Sequence, residues 1–126
     1  MSKISGKETK PELIVRKYLF SRGYRYRKNE NKLPGKPDIL LPKFKTLIFI
    51  HGCFWHGHNC KFGTLPETNK IFWENKINNT KDRDKRNINE LRKMGWRVIV
   101  IWQCELKNQK VKTERLEKLI NEIKSN

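Results

Sequence analysis

Apolar residues return at helical spacing near the start of the chain. In "TKPELIVRKYLFSRG", Leu13, Ile14, Tyr18 and Leu19 can share one face, with Pro11 in the first turn and Gly23 at the stop. Thr9 stands where a helix N-cap belongs. Glu12 follows it at capping-box spacing, which leaves Glu12 two roles, partner of a backbone N–H or acid of an active site.

The period then changes. "YRYRKN" alternates as a strand does, "LPGKPD" reads as a turn, and "DILL" and "TLIFI" read as two apolar strands joined at Pro42 to Lys45. Residues 61–80 keep neither period and mix Gly, Pro and Asn with aromatics, so a long functional loop with a helical turn near Trp73 is expected there. Helical spacing resumes in "DRDKRNINELRKMG", with Ile88, Leu91 and Met94 on one face and Gly95 ending it. "WRVIVIW" is a buried strand, and Leu116, Leu119, Ile120 and Ile123 mark a last amphipathic helix. The order predicts an α/β fold in which helices flank a mixed central sheet. A chain of 126 residues suits one domain, residues 1–126.

Charge changes the picture from fold to partner. Lys and Arg total 29 against 13 acidic residues, a formal net charge of +16, and such a surface repels itself unless it meets a polyanion. Nucleic acid is the expected partner, and four Trp, six Phe and three Tyr supply flat faces for bases. No apolar run approaches the roughly 20 residues that span a bilayer, and the charged N-terminus has no apolar segment behind it. A cytoplasmic location without membrane attachment is expected.

Candidate chemistry concentrates in "HGCFWHGHNC", residues 51–60, which hold all three histidines and two of the three cysteines. A structural zinc site takes four thiolate or imidazole ligands, several at close spacing and one or more from a distance. Cys53, His58 and Cys60 supply three from the loop, and Cys104, just after "WRVIVIW", can close the set if its strand lies beside the one ending at Ile50. Spacing alone leaves His56 as another candidate ligand. Whichever histidine a metal takes, two remain to move protons or hydrogen-bond a phosphate. Asp38 begins one strand of a hairpin and Ile50 and His51 end the other, so all three meet at one edge. A carboxylate with a strand-end carbonyl suits Mg²⁺ and metal-assisted phosphodiester hydrolysis.

Taken together, "TKPE", "LPGKPD", "FIHGCFWHGHNC", "FWENKINNTKDRD" and "GWRVIVIWQCEL" resemble the very-short-patch repair endonucleases, bacterial DNA mismatch nickases. The resemblance implies a restriction-endonuclease-like core and nicking 5′ to the T of a T·G mismatch left by deamination of 5-methylcytosine. It implies Asp38 as the Mg²⁺-binding carboxylate with the Ile50 carbonyl beside it, His56 as general acid/base, His51 as its partner at the phosphate or water, and Glu12 as a supporting acid. Ile50 stands where the best-known family pattern has threonine. The implied zinc ligands are Cys53, His58, Cys60 and Cys104, and the implied base-wedging aromatics are Phe54, Trp55 and Trp73. Also implied are a monomer acting on double-stranded DNA, nucleoid-associated when bound, and functional links to a cytosine-5 DNA methyltransferase and to repair proteins. Two other readings share part of this chemistry: a nicking or restriction endonuclease for another target, and a zinc-bearing DNA-binding module without catalysis.

Overall fold

The computed structural model describes residues 10–28, 33–58, 60 and 63–125. Helix α1 spans Lys10–Ser21 and buries Val15 and Leu19, one turn apart, against the sheet. Ile14 and Tyr18 flank them, whereas Leu13 turns outward, so the buried stripe is rotated toward Val15 from the one expected. Gly23, at φ 85°, ends the helix, and Tyr24 N–H reaches back to the Leu19 carbonyl at 3.0 Å. This left-handed closure is one that glycine adopts without a Cβ penalty. Thr9 and its cap lie outside the described residues.

Strands β1 (Arg27–Lys28), β2 (Ile39–Leu41), β3 (Thr46–His51) and β4 (Arg97–Trp102) form one sheet in the order β1-β2-β3-β4. The first three pair antiparallel, and β4 runs parallel to β3 with Ile48 opposite Ile99 and His51 opposite Trp102. The mixed sheet expected from the sequence is present, though β1 is shorter than "YRYRKN". Tyr24 and Tyr26 pack against the core rather than extending the ladder, and Asn29 lies outside the described residues. A 3₁₀ turn at Pro42–Phe44 joins β2 to β3.

The two-residue period of the strands divides the interior. Ile39, Leu41, Ile48, Ile99 and Ile101 face α1 and helix α3 (Gln109–Lys124), where Leu116, Leu119 and Ile123 complete the core. Leu40, Leu47, Phe49 and Val98 face the other way and meet Leu91 of helix α2. Helices thus cover both faces of the sheet.

Helix α2 runs over Lys70–Lys93, 24 residues, and replaces the second half, from Lys70 on, of the loop expected at residues 61–80. Its inward stripe is Trp73, Ile77, Thr80, Asp84, Asn87, Ile88 and Leu91. Only the ends of that stripe are apolar, because the middle faces a cleft instead of core. Met94, expected beside Leu91, is 52% exposed just beyond the helix end.

Arg115 braces the far edge of the sheet. It is buried, pairs with Glu105 at 3.4 Å and Glu122 at 3.1 Å, and donates to the Val100 carbonyl at 3.3 Å. Glu105 in turn accepts from Trp102 N–H at 2.8 Å, which fixes the 3₁₀ turn Gln103–Leu106 that follows β4. No helix of the described residues is long and apolar enough to cross a membrane.

Candidate active site and metal centre

The β2–β3 ladder stops at Ile39 opposite Ile48, two residues short of Ile50. Asp38 takes over from the missing strand: its Oδ2 accepts the Ile50 N–H at 2.7 Å, and its own N–H donates to the Ile48 carbonyl at 3.1 Å. The carboxylate is thereby anchored at the sheet edge. Glu12 of α1 hydrogen-bonds to it from the other side, so its side chain lies at this site. Burial, together with the hydrogen bond that protonated Asp38 makes to Glu12, pushes the Asp38 carboxyl up to about 7 against the opposing pull of Ile50 N–H and Arg16. Two acids so close favour either a shared proton or a cation between them. Their hard oxygens, with the Ile50 backbone alongside, are the donor chemistry that Mg²⁺ takes.

His51 ends β3 on the α2 side of the sheet. It is buried, and its Nδ1 has no hydrogen-bond partner among the described residues. Its ring stacks on His56 with centroids 3.8 Å apart and planes within 2° of parallel. Burial first, and then the neighbouring His56, hold His51 down at about 4, a neutral imidazole at ordinary pH. His56 Nδ1 lies 2.6 Å from Asp84 Oδ2 of α2, a contact that fixes the ring and leaves Nε2 for chemistry. Asp84 was not singled out by the sequence reading. The signal lay in its position: with Ile77, Thr80, Ile88 and Leu91 it keeps the inward period of α2, where a charged residue is out of place unless it serves a site.

Asp38, Ile50, His51, His56 and Asp84 line one cleft of about 500 Å³, walled on its other side by Thr80, Arg83 and Asn87 of α2.

The same loop turns back to form the second centre. Ligand atoms of Cys53, His58, Cys60 and Cys104 all lie within 4.8 Å of one another. Cys104 Sγ is 3.5 Å from His58 Nδ1, and Cys104 N–H points to Cys53 Sγ at 3.4 Å. The parallel pairing of β3 with β4 brings them together, since Cys53 and Cys104 each lie two residues beyond the paired His51 and Trp102. Burial, together with hydrogen bonds to Cys53 and Cys60, pushes the Cys104 thiol up to about 12. A bound divalent cation inverts that balance, because a coordinating thiol gives up its proton. Three sulfurs and one imidazole at these distances fit a tetrahedral ion, whose edges at a metal–sulfur length of about 2.3 Å are near 3.8 Å. The four residues are positioned to bind a metal ion, and the set could hold zinc.

Between the two centres, Gly57 (φ 67°) presses the loop onto α2, where a Cβ would come within 2.6 Å of Ile77 Cγ2. Only glycine fits this approach. Phe54, Trp55 and Trp73 make a cluster with centroids 5.0 to 5.8 Å apart, and Trp55 is 53% exposed. The structure adds Phe72, which packs edge-on to Trp73 at 5.2 Å and is 58% exposed.

Comparison with known proteins agrees with this geometry. Residues 1–62 match the family described as DNA mismatch endonuclease Vsr. The chain is 56% identical to the type II nicking enzyme V.NmeAIP of Neisseria meningitidis, over 98% of its own length and 89% of the relative's. It is 43% identical to the type II nicking enzyme V.XorIIP of Xanthomonas oryzae pv. oryzae, over 96% and 89%. It is 37% identical to the DNA mismatch endonuclease Vsr of Escherichia coli, over 95% and 80%. An acid pair, an oriented histidine and a cysteine–histidine cage on one sheet edge thus stand in a chain that belongs to the Vsr family and is a DNA endonuclease.

Proposed function

We propose that the protein nicks double-stranded DNA 5′ to the T of a T·G mismatch that arises by deamination of 5-methylcytosine. The observation that carries this reading is the convergence, in one cleft, of the Asp38–Glu12 acid pair with the Asp84–His56–His51 series, beside an exposed aromatic cluster. Mg²⁺ held by Asp38 and the Ile50 carbonyl, with Glu12 in support, would orient water and stabilise developing charge on the phosphate. The chain's own residues do the rest. Asp84 keeps the proton of His56 on Nδ1, so Nε2 is free to take a proton from the attacking water as one P–O bond forms and another breaks. His51, neutral and stacked on His56, holds that ring flat and keeps it from swinging out of the cleft.

Cys53, His58, Cys60 and Cys104 would hold zinc, which would pin the loop that carries His56. Phe54, Trp55 and Trp73 reach a base step beside the mismatch, where a wobble pair is more easily unstacked than a matched one. The same reading takes the protein to act as a monomer. The substrate arises where cytosines are methylated, which supports a functional link to a cytosine-5 methyltransferase. A second reading, nicking at another target, is favoured by the names of the Neisseria and Xanthomonas relatives, which specify nicking but no mismatch.

End-labelled duplexes with a T·G pair or its matched control, incubated with Mg²⁺ or with EDTA, separate these readings. One new fragment, in the T strand only, with T·G and Mg²⁺ only, is the expected result. Equal nicking of the matched duplex, or nicking of neither, favours the second reading.

Asp84→Asn is expected to slow nicking by about a hundredfold or more, as happens when an acid that sets the tautomer of a catalytic histidine is neutralised. Thermal midpoint and DNA affinity should hold. A wild-type rate in single-turnover assays would show that the contact between Asp84 and His56 has no part in the reaction.

A further inference from the structure

The cleft must admit a polyanion although its floor carries Asp38 and Asp84. Of the described residues that line it, Lys36 and Arg83 alone carry a permanent positive charge. Both are exposed, and they stand on different walls, Lys36 on the turn before β2 and Arg83 on α2. No ion pair occupies the Lys36 ammonium among the described residues.

The backbone at Lys36 is unusual. Its φ is 51°, in the left-handed region, where a side chain crowds the following carbonyl and where the ring of Pro37 narrows the choice further. Glycine would sit there without strain. The turn is held nonetheless: Lys36 N–H donates to the Leu33 carbonyl at 3.1 Å. Its neighbour Gly35, itself at φ 77°, packs so closely that a Cβ would lie 3.1 Å from Asn87 Cβ and 3.3 Å from Phe49 Cε1. Asn87 follows Arg83 by one helical turn, so this contact sets the spacing of the two cations across the cleft. Lys45 (φ 53°) and Asn69 (φ 58°) share this backbone region away from the cleft; Lys36 alone of the three joins the strain to a place on the cleft wall, and that conjunction points to use.

We propose that Lys36 is a phosphate-binding residue, gripping a non-bridging oxygen of the nicked strand from the turn side while Arg83 meets the backbone from α2. The proposal rests on the hydrolytic reading of this cleft. A compact ammonium on a flexible stem serves as a point charge for phosphate. It offsets the repulsion between the acids and the incoming strand, and it does so at a position where stability and function pull apart.

The test uses Lys36→Gly and Lys36→Gln in the full chain. Thermal midpoints, single-turnover nicking of a T·G duplex with Mg²⁺, and DNA binding across a salt series are measured for both and for wild type. Lys36→Gly should melt at or above the wild-type temperature, because the strain is relieved, and Lys36→Gln should melt close to it. Both should nick at least about tenfold more slowly, and the slope of log affinity against log salt should fall by about one. A folded variant that nicks at the wild-type rate with an unchanged slope overturns the proposal. If wild type itself nicks no duplex while the slope still falls in both variants, the phosphate contact stands and the hydrolytic reading fails.

Discussion

Asp38→Asn is expected to reduce Mg²⁺-dependent nicking by on the order of a thousandfold while DNA is still bound. The amide keeps an oxygen for the Ile50 N–H, which Asp38 now binds at 2.7 Å, so the strand end stays in place. It removes one of two facing acids, so the fold loses a repulsion rather than an attraction. What disappears is the charge proposed to hold a divalent cation, and cation stabilisation of a phosphoryl transition state is worth several kcal/mol, about three decades in rate. Binding should hold or tighten, since a negative charge has left the path of the backbone. Gel-shift and single-turnover nicking on one preparation give both numbers. Retained DNA with lost nicking separates an enzyme from a zinc-bearing binding module, and nicking at the wild-type rate would remove Asp38 from any metal site.

Cys104→Ser should act through structure first. A serine hydroxyl is a poor zinc ligand, and without the fourth residue the cage of Cys53, His58 and Cys60 closes on nothing from the β4 side. Metal-binding free energy at such a site is folding free energy, so the thermal midpoint is expected to fall by on the order of ten degrees, with metal content well below that of wild type. Nicking should fall as well, because His56 rides on the loop between Cys53 and Cys60. Asp84→Asn serves as the contrast, since it should lose rate and keep metal. A serine variant with full metal and an unchanged midpoint would remove Cys104 from the ligand set.

Much of the site could be read before any coordinates because its parts sit where strands end. A strand pair has two ends, and the polar residues at one of them, "PD" before β2 and "FIH" closing β3, had to meet; Asp38 and Ile50 do. The cysteines followed the same logic once β3 and β4 proved adjacent. The first half of α2 was hidden for an opposite reason. Its outward face carries Ile71 and Phe72, 75% and 58% exposed, while its inward face carries Thr80 and Asp84, so the apolar pattern that marks a helix is partly inverted. Asn78 and Asn79 lower local propensity as well. Asp84 was lost with it, since a residue placed near a loop gives no reason to point inward. Leu13 and Met94 failed at element ends, where a shift of one position moves a side chain from core to solvent.

The length of α2 has a geometric consequence. Trp73 meets the aromatic cluster near its start and Asp84 holds His56 further on, and at about 1.5 Å of rise per residue they lie about 16 Å apart along one stiff rod. On the proposed reading, that span and the loop from Phe54 to His56 together fix the interval between a disturbed base step and the severed bond, so a turn inserted between Trp73 and Asp84 would cost the loop one of its two anchors on the helix.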